Sequence, residues 1–296
     1  MAYTGTGTEN DPYIVSTFTD FLTCFALGDY IKIAVDLDAA AEGYEYIEPI
    51  MHSSGTANVH VFADSETKIK NVTVQGSHVL GSTIPSSAAT LEFNNIYFQN
   101  ICLKSDGNYS SIFHNYSGIV LLTDCKVSVA ARQCTGGFCF ADAPTQYSKM
   151  TRCAFDVTMD TGTKLSGNPD VRHCMFGDLE DCNVVIRGEI NSSGTNSTAF
   201  IANYPLNVAV VLKDCKVSTT TFLFKDQSRS RNGYICFDGC TADSNVDVGS
   251  FDIASSFLVC INDCTNISES SSSAATLVTS AQLKDETYLQ SIGWLP

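Results

Sequence analysis

The cysteines of this chain have the widest choice of chemistry, because thiols form disulfides, bind metals and act as nucleophiles. There are 13 of them in 296 residues. Seven recur after gaps of 23, 28, 29, 33, 25 and 24 residues, a mean of 27: Cys102, Cys125, Cys153, Cys182, Cys215, Cys240 and Cys264. A repeat of this length predicts a solenoid, in which each turn buries its apolar face against the next turn.

The residues after these cysteines alternate between apolar and polar. "LLTDCKVSV" at 121–129 returns as "VLKDCKVST" at 211–219, with the cysteine and every second residue after it on one face of a strand. Residues 55–278 show β-branched runs and no long helical periodicity. The fold predicted is all-β, a right-handed parallel β-helix of about eight coils. A leucine-rich repeat is disfavoured, since its recurring Leu/Asn frame is missing.

On a β-helix the seven cysteines form a ladder with roughly 4.8 Å between neighbours, the usual strand spacing. The favoured interpretation is a structural ladder of buried, unreactive thiols. Disulfides between neighbouring coils are an alternative, because this spacing permits them. Metal binding is weaker: Cys236 and Cys240, like Cys260 and Cys264, are four residues apart, and on a strand an even spacing only marks one face. No metal site and no cofactor are predicted.

Bend chemistry precedes the cysteines. The preceding residues of six of them are Asp124, Arg152, Asp181, Asp214, Gly239 and Asp263. Aspartate forms local hydrogen bonds at a bend, and stacked carboxylates repel each other, so Arg152 is interpreted as relief of repulsion between Asp124 and Asp181. A divalent cation bound by the carboxylate row is the alternative.

The two ends differ from the repeats. In residues 1–54 a Ser or Thr N-cap, apolar residues at 18, 21, 22 and 25, and Gly28 predict a short helix, followed by a strand from Tyr30. This segment is predicted to cap the β-helix of residues 55–278. Residues 279–296 are predicted to form a C-terminal capping tail. Its short helix would begin at Ser280 and end at Gly293, with Trp294 as an anchor on the last coil or a neighbouring subunit.

Charge and hydropathy exclude several partners. The formal net charge of −15 repels a phosphate backbone, so nucleic acid is not expected as a partner. The sequence shows neither a signal peptide nor an apolar run of membrane-spanning length. We therefore expect synthesis in a cytoplasm, reduced thiols and no membrane insertion.

Catalytic signatures are missing from the sequence, and no catalytic residue is predicted. The five histidines are scattered, and the glycines of "GTGTENDP" lack the strand and lysine of a phosphate loop. A nucleophile elbow is also missing. An enzyme is less favoured than a non-enzymatic protein. A polysaccharide lyase or glycoside hydrolase is kept as the alternative, since carboxylates from different coils can converge.

Segments at both ends carry a resemblance to a known family. "GTGTENDPYIVST", "KIAVDLD", "TKIKNVTVQG" and the closing "LKDETYLQSIGWLP" resemble pectate-lyase-like right-handed β-helix proteins of bacteriophage tail and fibre genes and related bacterial adhesins. The resemblance implies a virion structural protein, commonly trimeric, that contacts other virion proteins. A tail spike, short fibre, baseplate element and capsid decoration all fit it, and a bacterial adhesin is the alternative.

Aromatic residues in "NYSSIFHNYSG" are the predicted surface contacts. Tyr109, Phe113 and Tyr116 are expected to stack on sugars of a host-surface glycan. An ordinary loop or a subunit contact is the alternative for the same stretch.

Overall fold

The computed structural model of the chain describes residues 3–52, 58–83, 89–105, 110–115, 118–135, 137–142, 148–163, 176–190, 198–202, 205–218, 221–224, 233–248, 257–269 and 276–292. These residues form two α-helices and 25 strands. The helices are α1 (Phe18–Leu27) and α2 (Glu286–Ser291).

The strands follow one another closely along the chain. The first nine are β1 (Tyr13–Val15), β2 (Asp29–Ile33), β3 (Leu37–Asp38), β4 (Ile50–His52), β5 (Asn58–Lys70), β6 (Thr73–Gln75), β7 (His78–Ser82), β8 (Thr90–Lys104) and β9 (Ser110–Asn115). The next eight are β10 (Ile119–Thr123), β11 (Lys126–Arg132), β12 (Phe138–Asp142), β13 (Lys149–Thr151), β14 (Ala154–Met159), β15 (Asp178–Glu180), β16 (Asn183–Ile190) and β17 (Thr198–Ala202). The last eight are β18 (Pro205–Leu206), β19 (Ala209–Val217), β20 (Thr221–Phe224), β21 (Tyr234–Asp238), β22 (Thr241–Asp247), β23 (Leu258–Asn262), β24 (Thr265–Ser268) and β25 (Thr276–Val278).

The predicted fold class is confirmed: the chain is a parallel β-solenoid of about six turns. The prediction of about eight coils counted all of residues 55–278, including segments outside the described residues. The pairing register gives the length of each turn. Tyr30 pairs with His60 and His60 with Glu92, 30 and 32 residues on, whereas Ala209 pairs with Tyr234 after 25. The turns therefore shorten towards the C-terminus.

The strands lie in stacks that run along the solenoid. The first stack contains β2, the start of β5, the start of β8, β10, β13, β15 and β18. The second contains the end of β5, the end of β8, β11, β14, β16, β19, β21, β23 and β25. A third begins at the ends of β16 and β19 and continues through β22 and β24. A separate four-stranded sheet joins β4, β7, β9 and β12.

Alternating side chains fill the interior of the solenoid. Every second residue of a strand is buried, as in β11, where Val127, Val129 and Ala131 point inward. Aromatic rings fill the wider turns: Phe93 and Phe98 lie 5.5 Å apart between ring centroids in a T-shaped arrangement. A fully buried Phe contributes about 1.5–3 kcal/mol by the hydrophobic effect, so this core supplies most of the stabilisation.

The predicted N-terminal helix is confirmed as α1. Thr17 is its N-cap, with Oγ1 accepting a hydrogen bond from the Asp20 backbone N at 3.1 Å. The carboxylate of Glu42 accepts further hydrogen bonds from the backbone N of Phe18 and Thr19. The helix ends at Gly28, whose φ of 87° belongs to the left-handed region that favours glycine. The inward residues of α1 join the main core: Phe18, Phe21, Cys24 and Phe25.

The C-terminal segment lies on the outside of the solenoid. A 3-10 helix at Gln282–Lys284 leads to α2, whose N-cap is Asp285, with Oδ1 accepting from the Tyr288 backbone N at 3.1 Å. The prediction that Ser280 begins the helix is wrong, because Asp285 provides the cap. Gly293 and Trp294 lie outside the described residues. Neither described helix has the length and apolarity needed to cross a membrane.

Candidate functional site

The seven repeating cysteines do not form one ladder. Cys125, Cys153 and Cys182 stack at the bend between the first and second stacks, where the residues that follow them are paired in register. Cys215 and the remaining two, Cys240 and Cys264, stack at a different bend, between the second and third stacks. Cys102 belongs to neither group, since it lies within β8, half-buried and paired with Thr73 and Ala130.

The change of ladder follows from a change of bend. Asn183, directly after Cys182, pairs with Ala209, so the next position of the first ladder is Val208 and not Cys215. The bend before it is Asn207, which has a φ of 53°. The 33-residue gap between Cys182 and Cys215 was the sequence signal of this shift. Because the gaps were averaged, the prediction of a single ladder concealed it.

The ladder thiols satisfy backbone groups at the bends. Cys125 Sγ donates to the carbonyl oxygens of Thr123 and Phe93, both at 3.3 Å, and the other members repeat this pattern. The residue before each of them has a left-handed φ, as at Asp124 with 55°, a conformation that Asp and Asn tolerate. Each thiol therefore stabilises a turn whose geometry leaves carbonyl oxygens pointing inward.

Hydrogen bonds between neighbouring thiols set their acidity. The hydrogen bond with Cys125 raises the pKa of Cys153 to about 12, and burial acts in the same direction. Cys215 donates to Cys240, which raises the pKa of Cys215 and lowers that of Cys240 to about 7. Cys240 is nevertheless fully buried, and burial excludes the reagents that would attack it. The ladders fit a structural role.

The row of bend residues is neutralised by cations and amides. Arg152 donates to both carboxylate oxygens of Asp124, each at 2.7 Å, and this pairing lowers the pKa of Asp124. The predicted relief of repulsion is confirmed at this pair. Asp181 instead accepts from the Asn207 side chain at 2.9 Å. Among the described residues, no group of three or more His, Cys, Asp and Glu side chains is placed to hold a metal ion.

The predicted aromatic contact surface is not supported by Phe113, the described one of its three members. Phe113 is fully buried, with its ring centroid 4.9 Å from Phe93 and 5.3 Å from Phe98. Its expected exposure is wrong, because alternation along β9 directs this position inward. Tyr109 and Tyr116 lie outside the described residues.

A different group of polar and aromatic side chains lies on the outer face of the first stack. We name it the outer cluster, consisting of Tyr30, His60, Glu92 and Asn94. The Tyr30 and His60 rings are stacked at 4.4 Å with 10° between their planes. His60 Nδ1 lies 2.8 Å from Glu92 Oε2, and Asn94 Nδ2 donates to Glu92 Oε1 at 2.9 Å. Both carboxylate oxygens of Glu92 are thus held in place.

Strand register brings the outer cluster together. Tyr30 lies on β2, His60 on β5 and Glu92 on β8, and these three residues are direct partners in the parallel pairing. Their neighbours along each strand point into the core, so the three side chains must point outward. The side chains remain partly exposed: 20% for His60 and 30% for Glu92.

Charged groups flank the outer cluster on the same face. Lys32 forms an ion pair with Asp64 at 2.7 Å, and Lys149 pairs with Glu180 at 2.6 Å farther along the stack. Since a carboxylate only accepts hydrogen bonds, Glu92 fixes the proton of His60 on Nδ1 and leaves Nε2 as an acceptor when the ring is neutral. The cluster therefore offers a ring face, an amide, a carboxylate and an imidazole nitrogen at one place.

Sequence reasoning missed the outer cluster. Its signal was the separation of Tyr30, His60 and Glu92 by 30 and 32 residues, close to the repeat length, at polar positions of alternating strands. Averaging the repeat on cysteines hid these longer N-terminal turns.

Comparison of the chain with protein families, curated proteins and solved structures finds no match. The class of protein is therefore defined by its architecture, a parallel β-solenoid with a polar and aromatic cluster on one outer face.

Proposed function

We propose that this chain is a non-enzymatic attachment protein that binds a cell-surface glycan through the outer cluster. The observation that carries the proposal is the aligned row of Tyr30, His60 and Glu92 on a rigid parallel sheet. Following the family resemblance, we further propose that the protein is a bacteriophage virion component, such as a tail spike, short fibre, baseplate element or capsid decoration. A bacterial adhesin would use the same surface.

The chemistry of the outer cluster suits a polyhydroxylated ligand. Sugar hydroxyls both donate and accept hydrogen bonds, and Glu92, Asn94 and His60 supply acceptors and donors within one patch. Partly exposed aromatic rings on this face, such as Tyr30 and Phe62, can cover the apolar side of a sugar ring. A glycan is therefore favoured over an apolar peptide.

The scaffold suits attachment because it is pre-organised. The cluster residues lie on strands that pair with neighbours, and Glu92 is bound on both oxygens before any ligand arrives. Side chains that are already ordered lose little conformational entropy on binding. Recognition can then be selective without any rearrangement of the solenoid.

A catalytic function is the second candidate, favoured by the His60–Glu92 pair. A carboxylate that orients an imidazole is a common arrangement for a general base, which is the group a polysaccharide lyase or hydrolase requires. We rank it second because the nearest further carboxylate paired across this face, Glu180, is already bound by Lys149.

The test is binding of bacterial surface polysaccharides, neutral and acidic, by isothermal titration calorimetry with the whole chain. Glu92→Gln removes the charge that fixes His60, and we expect at least about tenfold weaker binding. Glu180→Gln is the matched control, since it lies on the same face about 14 Å away by strand spacing. We expect it to change affinity less than about twofold.

Three outcomes decide between the candidates. Binding that is equally sensitive to both substitutions, or no binding to any polysaccharide, contradicts the proposal. New reducing or unsaturated ends in the same mixtures, abolished by His60→Gln, would instead establish the catalytic function. For the virion proposal, light scattering should give a mass near three times 31.9 kDa, and a monomer would contradict the trimer.

A further inference from the structure

Two cysteines outside the ladders face each other on the outer surface of the second stack. Cys236 on β21 and Cys260 on β23 are direct partners in the parallel pairing. Their neighbours Ile235 and Val259 belong to the main core, which places the two thiols on the opposite side of the sheet. Both cysteines are buried, with 8% and 0% of their surface exposed.

Their outward direction corrects an expectation from the sequence. The four-residue spacing of Cys236 and Cys240 suggested that both lie on one face of a strand. Gly239, with a φ of 65°, forms a bend between them, and Cys240 then points into the core. The same applies to Cys260 and Cys264, where Asp263 forms the bend.

The C-terminal segment covers this pair. Leu289 of α2 and Val278 of β25 form a small apolar cluster with Cys236, Cys260 and Leu258, separate from the main core. Burial, together with a hydrogen bond to Cys260, raises the pKa of Cys236. Cys260 Sγ lies 3.5 Å from Ser280 Oγ, which also belongs to the covering segment.

We propose that Cys236 and Cys260 are a site of reversible oxidation, at which a disulfide joins two adjacent turns of the solenoid. The two residues lie one strand apart, about 4.8 Å, which falls within the Cα separation that disulfides adopt. The product is uncharged and replaces two thiols in an apolar cluster, so its formation leaves no charge buried.

Access distinguishes this pair from the ladders. The ladder thiols lie inside the solenoid, and a reagent reaches them only if turns separate. The outer pair lies beneath a segment whose α-helix has six residues and buries one side chain, Leu289. Local opening of such a segment needs far less free energy than opening of the core. Oxidation should therefore begin at Cys236 and Cys260.

The reaction needs a disulfide oxidant, for which oxidised glutathione serves. The thiolate of one cysteine attacks the glutathione disulfide, forming a mixed disulfide and releasing one glutathione thiolate, which takes up the proton that the cysteine lost. The second cysteine, after losing its proton, attacks the protein sulfur of the mixed disulfide and releases the second glutathione. Two protein thiols are oxidised, and one glutathione disulfide becomes two glutathione thiols.

The experiment incubates the native full-length chain with oxidised glutathione, blocks the remaining thiols and cleaves before aspartate. This cleavage separates the relevant cysteines, because 226–237 contains Cys236 alone and 252–262 contains Cys260 alone. We expect mass spectrometry to find these two fragments joined. We also expect the melting temperature to rise by about 5 °C and to return to its original value with dithiothreitol.

Two variants complete the test. Cys260→Ser should abolish the joined fragment and the thermal shift, whereas Cys102→Ser, at a half-buried cysteine outside both ladders, should leave them unchanged. Leu289→Ala should accelerate cross-linking several-fold, because it loosens the covering segment. Fragments joined instead through Cys240 or Cys264, or no joined fragment after prolonged oxidation, would overturn the proposal.

Discussion

The two ends of the solenoid each carry a short helix, but the helices contribute differently. Helix α1 places Phe18, Phe21 and Phe25 in the main core, and all three are fully buried. Helix α2 buries Leu289, which contacts a separate cluster on the outside of the sheet. A helix in line with the stack becomes part of the core, whereas one beside it only shields a surface patch.

The difference lies in the residues that face the solenoid. An aromatic triplet at positions 18, 21 and 25 forms a continuous apolar stripe on three turns of helix. Helix α2 has fewer than two turns and an isolated leucine, so it can be displaced without loss of the core. The four changes below test this contrast, beginning with the largest expected effect.

Phe21→Ala should destabilise the whole chain. It removes a fully buried ring whose centroid lies 5.7 Å from that of Phe25, and we expect a loss of about 3–5 kcal/mol in the free energy of unfolding. Urea denaturation followed by circular dichroism measures it. Ile292→Ala, at a residue 40% exposed near the other end, is the control and should change stability by less than about 0.5 kcal/mol.

Leu289→Ala should have a smaller effect, confined to the C-terminal segment. We expect a loss of about 1–2 kcal/mol, because a surface helix can collapse onto the space left by the side chain. Alkylation of Cys236 in the native protein should become faster at the same time. Leu277→Ala, at a residue 48% exposed, is the matched control. A loss as large as that of Phe21→Ala would show that α2 is part of the core.

Thr17→Ala should cost about 1 kcal/mol, the usual contribution of an N-cap. Asp285→Ala removes the corresponding hydrogen bond of α2, but we expect at most about 0.5 kcal/mol from this short, exposed helix. Denaturation of both variants gives the comparison, with Thr17→Ser as a control that retains the hydroxyl. Equal losses at the two caps would contradict the contrast between the helices.

Arg152→Ala should give the smallest effect, since both partners of its ion pair are exposed. The pairing lowers the pKa of Asp124 in the folded state, so its contribution is present above the unfolded pKa of about 3.9 and lost as the pH falls through the folded value. The difference in melting temperature from the unmodified chain should therefore shrink from about pH 6 to pH 2. A difference that persists at low pH would assign the effect to packing.

The repeat in the sequence predicted the fold class, and it did so for a physical reason. A cysteine followed by alternating apolar residues, as at Cys125 and Val127, can bury one face only if successive turns stack. The division into two ladders was not predictable from the same pattern. Cys215 follows an aspartate just as Cys182 does, and only strand register shows that their bends lie at different places around the solenoid.

The candidate site depended still more on three-dimensional pairing. Tyr30, His60 and Glu92 are ordinary polar positions of three strands until the register places them in one row. Phe113 illustrates the opposite error. A loop-like composition around it suggested exposure, but the strand β9 directs its ring into the core, where two other phenylalanines contact it.

The shift of bend at Asn207 sets a length limit for any ligand that lies along the first stack. This stack runs through seven strands from β2 and ends at β18, which pairs backward with β15. Six intervals at the usual strand spacing measure about 29 Å. The first stack thus acts as a molecular ruler: an extended chain that follows its outer face can remain in contact over that distance and no farther.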